Sequence, residues 1–233
     1  GDYRRRNHRL TMKLLFSGND YIHKVLVVAH EAGVLGQLEF IVNNPVGTDE
    51  IIWGYTPLGK HPVLVLDDDL TLFSGLLACE YLDSLGQSHL FPRDETRWRA
   101  LTEMALGDGL FDAVSALSID ALKPPADRVA SAMMRNRRRI LGALDEMEKA
   151  TKRFSRETFH IGHICFADGL SFLDLRQPLQ KLLIDEVDAT FDWRLGRPHL
   201  HAWYDTVIGR PSLKLRPADL GIVGTEKPKP PST

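Results

Sequence analysis

Three short stretches hold side chains able to do chemistry. In "MKLLFSGND" an apolar run gives way to a turn carrying the Ser17 hydroxyl and the Asn19 amide. Both groups donate hydrogen bonds, and both stand just before a helical pattern, whose N-terminus favours negative charge. Ser17 and Asp20 are equally suited to capping that helix. In "KHPVLVL" a proline sits at the mouth of an apolar strand. Proline gives no N–H to a ladder and is normally kept out of central strands. His61-Pro62 therefore reads either as a cis-proline turn that holds the His61 backbone open to a ligand, or as an ordinary trans proline at an edge. In "FSGLLACEYLD" Ser74-Gly75 opens a helix, where a hydroxyl and unpaired backbone N–H groups can receive a carboxylate or simply cap. Further along, Asp108 and Asp112 lie one turn apart on one helix face, with Met104 and Phe111 beside them.

The elements that must position these groups follow from periodicity. Met12–Phe16 is a short apolar strand. "YIHKVLVVAHEAG" has helical spacing, with Ile22, Val25, Leu26 and Ala29 on one face and Gly33 as its stop. "QLEFIVNN" reads as a second strand, so the unit is βαβ with parallel strands. "PVGTDEIIWGY" is a polar connection. "VLVL" and "LTLF" form a hairpin around Asp67–Asp69, which reads as a turn rather than a metal site, and a helix starts at Ser74. The order βαβ then ββα is thioredoxin-like. From Glu95 onward helical spacing dominates. "ETRWRALTEMALGDGLFDAVSAL" is one long helix capped by Asp94 or Thr96. "RVASAMMRNRRRILGALDEMEKAT" is a second, with Arg135–Arg139 a solvated face. "FADGLSFLDLRQPL" and "PHLHAWYDTVIG" are two more, Pro198 taking the first-turn position that proline favours.

Bulk properties narrow the function classes. The 233 residues suit two modest domains, and a net charge of −2 gives no support for a general affinity for nucleic acid or membrane. No run reaches the roughly 18 apolar residues of a membrane span. Cys79 and Cys165 are far apart and lack metal-ligand spacing, so neither a disulfide framework nor a zinc site is expected, and a reducing cytoplasm fits. Residues 1–11 have no apolar core of a secretory signal and read as a disordered extension. Residues 218–233 read as a flexible tail.

Taken in order, "MKLLFSGNDYIHKVLVVAHEAG", "TPLGKHPVLVLDDD", "LFSGLLACEYLD", "RWRALTEMALGDGLFDA", "RRRILGALDEME", "FADGLSFLDL" and "FDWRLGRPHLHAWYDTVIGRPS" resemble the cytosolic glutathione transferase family, its bacterial members most. The resemblance implies a thioredoxin-like glutathione-binding domain over 12–86 and an all-helical domain over 94–217. It implies a cis bond before Pro62, with the His61 backbone pairing to the cysteinyl part of glutathione as an added strand. It implies a hydroxyl or amide in the first turn that favours the glutathione thiolate: Ser17 when the alignment is anchored on the strand, Asn19 when it is anchored on the helix, with Tyr21 a third candidate. Ser74 and Gly75 match the place where an acid-Ser pair receives the γ-glutamyl group, but the acid is missing here.

His23 and Lys24 are expected on a solvated face of the first helix. Met104, Asp108, Phe111 and Asp112 match the helix that meets the second substrate, a small hydrophobic electrophile. Trp98, Trp203 and Tyr204 are expected as core or interface anchors. Asp168 matches a helix-capping acid whose usual Ser or Thr partner is replaced by Cys165, implying a weak cap. Glutathione is the implied co-substrate, no metal is implied, and a cytoplasmic homodimer is expected. The missing acid and the altered turn also leave open a binding or scaffolding protein of the same fold.

Overall fold

The computed structural model describes residues 11–17, 22–43, 50–66, 70–155 and 157–221, and the chain divides into two units, Gly1–His89 with Leu215–Thr233, and Leu90–Lys214. Asn19, Asp20, Tyr21 and Asp67–Asp69 fall outside the described residues, as do most of the first eleven residues and of the tail.

The first unit is thioredoxin-like. Strand β1 (Met12–Phe16) leads to helix α1 (His23–Glu31) and strand β2 (Leu38–Val42). A short helix, α2 (Glu50–Trp53), precedes strands β3 (Val63–Val65) and β4 (Thr71–Leu72) and helix α3 (Gly75–Leu85). The sheet order is β2-β1-β3-β4, with β1 parallel to β2 and antiparallel to β3. Leu14 and Leu15 point to opposite faces of β1, and both are fully buried, so the sheet is covered on both sides. Helix α2 lies within the segment read from sequence as a polar connection. One turn is too short to show a period, yet its Ile52 is buried against Leu15 and Val63. His23, expected on a solvated face, is buried instead, and Arg216 Nη1 donates to its Nε2 at 3.0 Å.

The second unit is helical. Helix α4 (Arg97–Leu122) runs beyond the expected Leu117 and packs on α5 (Ala130–Thr151) and α6 (Ile161–Arg176). Short α7 (Pro178–Leu182), α8 (Pro198–Val207) and α9 (Pro211–Lys214) follow. Helix α6 begins five residues before the expected Phe166. His160 is its cap, Nδ1 accepting from the Gly162 N–H at 3.1 Å. Cys165 and Asp168 therefore sit inside the helix, not at its start. At the other end, Gln177 turns into the left-handed region ahead of Pro178, so the helix stops short of the expected Leu179.

Cys165 lies at the crossing of α4 and α6. A Cβ built on Gly107 would stand 2.5 Å from the Cys165 carbonyl carbon. Backbones this close admit only small residues. The Arg135–Arg139 run is only partly solvated, because the Arg137 guanidinium makes a bidentate pair with the fully buried Asp188, both Nε contacts being 2.9 Å. Trp98 is exposed, so it is not a core anchor, whereas Tyr204 is buried with its hydroxyl 2.9 Å from Ser171 Oγ.

Beside that crossing the unit buries Glu103 and His163 and half-buries His160. Glu103 Oε2 stands 3.5 Å from His160 Nε2, and the two imidazoles stack with centroids 3.8 Å apart. Phe154, Phe159 and Trp203 surround His163. Burial pushes His163 down to about 3, aided by the neighbouring His160 and Arg210, and pushes His160 down to about 4. Burial raises Glu103.

Two predictions follow from this packing. Gly107→Ala is expected to cost about 1–3 kcal/mol in urea unfolding, because the methyl must displace backbone. Gly109→Ala, on the same helix with nothing near its built Cβ, is expected to stabilise by up to about 1 kcal/mol. Equal signs for the two would remove the close-crossing argument.

The second concerns acid. The unfolded chain protonates its histidines at ordinary values, near 6.5, while the fold holds His160 and His163 neutral until about 4 and 3. Stability is then present above pH 6.5 and lost as pH falls through the window down to about 4. Glu103 opposes this in part, since the folded state takes up its proton first. His163→Leu is expected to flatten the slope between pH 6.5 and 4.5 by about 1 kcal/mol per pH unit. An unchanged slope in paired urea titrations would show that His163 is not held neutral.

Candidate functional site

Backbone pairing brings the first-unit candidates together. β1 pairs with β2 at Phe16↔Val42 and with β3 at Leu15↔Val63. Continuing both registers past the strand ends puts Ser17 between Asn43 and His61. The parallel side does continue, since the Asn43 N–H donates to the Phe16 carbonyl at 2.8 Å. The His61 ring lies across Ser17. Its Nδ1 is 3.2 Å from Ser17 Oγ, and its Nε2 is 3.1 Å from Asn43 Nδ2. Asn43 is fully buried, while Ser17 and His61 are half-buried.

The His61-Pro62 bond is cis. Pro62 is covered by the start of α3, where a Cβ built on Gly75 would stand 3.2 Å from Pro62 Cγ and 3.9 Å from Lys24 Cε. Lys24 thus lays its stem beside α3 rather than facing open solvent. Ser74 caps α3, its Oγ accepting from the Leu76 N–H at 3.2 Å. Ser17, His61, Pro62, Ser74 and Gly75 therefore gather around one end of the sheet. They offer a hydroxyl, a strand-entry backbone and a helix N-terminus, the groups needed to hold a small anionic peptide. Ser74-Gly75 occupies the place of the expected acid-Ser pair, so that pair's acid is missing.

Asn43 is the site residue that sequence reasoning missed. From sequence it reads only as part of the strand "QLEFIVNN". The available signal was an amide placed directly after a strand that pairs with β1, the strand leading into the polar turn.

The second-unit candidates divide. Phe111 is buried and stacks on Phe172, with centroids 4.1 Å apart and planes at 12°, so it is a core residue rather than an open pocket wall. Asp112 is exposed, and Met104 and Asp108 are half-buried. Asp108 and Asp112 both have interactions with other groups.

Buried Glu103 and His163 and half-buried His160 each bring one ligand atom within 4.8 Å of the others. Their chemistry does not fit a metal ion. His160 Nδ1 accepts from Gly162, so the hydrogen of the neutral ring sits on Nε2, the atom facing Glu103. A ligating imidazole carries its hydrogen on the other nitrogen.

Comparison with known proteins gives a consistent result. The family described as glutathione S-transferase, N-terminal domain, matches residues 20–85. A GST-like protein of Escherichia coli, YibF, itself uncharacterized, is 25% identical over 206 residues, spanning 86% of this chain and 96% of that protein. Among solved structures, a glutathione transferase family member from Pseudomonas fluorescens with bound glutathione is 32% identical, covering 87% of this chain and 96% of its own, with a TM-score of 0.75. A glutathione S-transferase from Methylobacillus flagellatus, also with glutathione bound, is 27% identical over 87% of this chain and 97% of its own, with a TM-score of 0.71. With its thioredoxin-like sheet, its helical second unit and this likeness in sequence along most of its length, the chain belongs to the glutathione transferase family.

Proposed function

We propose that the protein is a glutathione transferase that binds glutathione at the end of its sheet and activates the thiol for attack on a small hydrophobic electrophile. The observation that carries this reading is the placement of Ser17 beside His61-Pro62 and the N-terminus of α3. The His61 backbone takes the cysteinyl part of the tripeptide as an added strand. The α3 N-terminus and Ser74 take the γ-glutamyl carboxylate, Ser74 keeping a hydroxyl hydrogen to donate while its oxygen caps Leu76. The solved relatives carrying glutathione support this ligand. Met104, Asp108 and Asp112 on α4 are the candidates for contacts to the electrophile. The reading includes a two-fold homodimer, for which light scattering at micromolar concentration should give twice the chain mass.

A free thiol has a pKa of about 8.5 and is mostly protonated at neutral pH. A hydroxyl donating to the sulfur favours the thiolate. Ser17 is the described residue placed to do so, and Asn19 in the same turn is the alternative. The thiolate then forms a bond to the electrophilic carbon, and the leaving group departs with the electron pair. A second reading, a binding protein with little catalysis, draws on one observation: Ser74-Gly75 stands at the place of an acid-Ser pair, without the acid that would meet the substrate ammonium.

Ser17→Ala is expected to lower kcat with a general electrophile roughly ten- to hundredfold and to leave KM for glutathione nearly unchanged, since one charge-assisted hydrogen bond contributes about 1.5–3 kcal/mol. The pH profile should move up toward that of the free thiol. Asn19→Ala is the control: loss of activity there, with Ser17→Ala intact, would assign the role to Asn19. No heat in calorimetric titration of the wild type with glutathione would remove the proposal. Binding without turnover across several electrophile classes would favour the binding protein.

A further inference from the structure

The Ser17–His61–Asn43 row has a direction, and a buried amide sets it. Neutral imidazole has one N–H, so what one ring nitrogen does fixes the other. Asn43 Nδ2 has only hydrogens to offer and stands 3.1 Å from His61 Nε2. With the amide in this orientation Nε2 presents its lone pair, and the ring hydrogen sits on Nδ1. Nδ1, 3.2 Å from Ser17 Oγ, then donates to the serine oxygen. Ser17 accepts on its oxygen and keeps its own hydrogen for another acceptor.

We propose that His61 and Asn43 are positioning residues for Ser17, forming a chain of donors Asn43 → His61 → Ser17 that leaves the serine hydroxyl hydrogen for the glutathione thiolate. This rests on the reading of Ser17 as the thiol's donor. His61 neither takes nor gives a proton in the chain. It holds the serine oxygen and polarises its O–H, as each bond in such a chain strengthens the next.

The opposite order is chemically available and would defeat the site. With an acceptor at residue 43, Nε2 would carry the hydrogen, Nδ1 would accept from the Ser17 O–H, and the serine would point away from the sulfur. The orientation of one amide decides between a serine that stabilises an anion and one that is itself deprotonated. Asn43 is fully buried, its backbone N–H is tied to Phe16, and its Oδ1 meets no partner among the described residues, so the bond to His61 is the one side-chain contact that orients the amide. The row depends on register: Ser17 and Asn43 end parallel strands, and His61 enters the antiparallel one.

Two measurements test the chain. The first needs no ligand. Nitrogen-15 NMR of the wild-type histidine rings, with His61 assigned by its loss in His61→Leu, should show the neutral Nδ1–H tautomer. The Nε2–H tautomer overturns the proposal. The second follows the ultraviolet absorbance of bound glutathione thiolate against pH. His61→Leu removes the donor to Ser17 and should raise the bound-thiol pKa by about 0.5–1 unit and cut kcat roughly three- to tenfold, with the glutathione dissociation constant within about twofold. His61→Asn can place an amide N–H where Nδ1 stood, so it should stay within about twofold of wild type. The double variant Ser17→Ala/His61→Leu should lose no more than Ser17→Ala alone. Equal losses in His61→Leu and His61→Asn, or additive losses in the double variant, overturn the chain while leaving the glutathione reading intact. If the wild type binds no glutathione, the thiolate's part falls with the proposed function, and the tautomer alone decides the order of the hydrogen bonds. Should His61→Leu unfold, the wild-type tautomer, assigned through His61→Asn, decides.

Discussion

The first unit depends on one constraint: β1 is hydrogen-bonded on both edges, parallel on one side and antiparallel on the other. A strand paired this way cannot slip by one residue without exchanging its buried faces, and both faces of β1 are buried. The register is therefore fixed, and with it the residue that each neighbouring strand delivers beyond the end of β1. Ser17, Asn43 and His61 come from segments up to 44 residues apart, yet backbone pairing alone places them in a row. The chemistry of the turn is inherited from the sheet.

The helical unit uses a different device to the same end. Where β1 gains precision from paired backbone groups, α4 and α6 gain it from the lack of side chain at Gly107, which lets two backbones touch at Cys165. That contact involves a residue whose sequence reading was misleading. Cys165 reads from sequence as a poor substitute for a capping Ser or Thr, but the helix starts four residues earlier, at Ile161, with His160 as its cap, and what the crossing requires is the missing side chain of Gly107. Asp168 belongs to the helix interior for the same reason.

The fold was legible because hydrophobic periodicity and element order report on burial. Met12–Phe16, the α1 pattern and the hairpin each have a period that survives in a single sequence. What was not legible had no period to show. One turn at Glu50–Trp53 is too short, and the ends of α6 depend on a histidine cap and on Gln177 adopting a left-handed backbone before Pro178. The site was half legible by the same logic. His61-Pro62 and Ser74-Gly75 announce themselves through backbone chemistry. Asn43 does not, because nothing in "VNN" says which amide lies under a histidine from a strand 18 residues on.

Buried polar groups mark both units, and their partners distinguish their roles. His163 sits among aromatic rings, stacked on His160, and its burial is expressed as a depressed pKa. An imidazole held neutral that way keeps one acceptor nitrogen and one N–H, and its neighbour His160 has committed a nitrogen to a helix cap. Asn43 is as deeply buried, and its Oδ1 meets no partner among the described residues, but its Nδ2 is committed to a ring that in turn reaches a half-buried hydroxyl. Desolvating a primary amide is costly unless it is hydrogen-bonded. An alanine or valine at residue 43 would fill the space at lower cost, so packing alone gives no reason for an amide there. The reason lies in the bond it makes: a donor at that point fixes the proton order of His61, and through it the direction in which Ser17 can act.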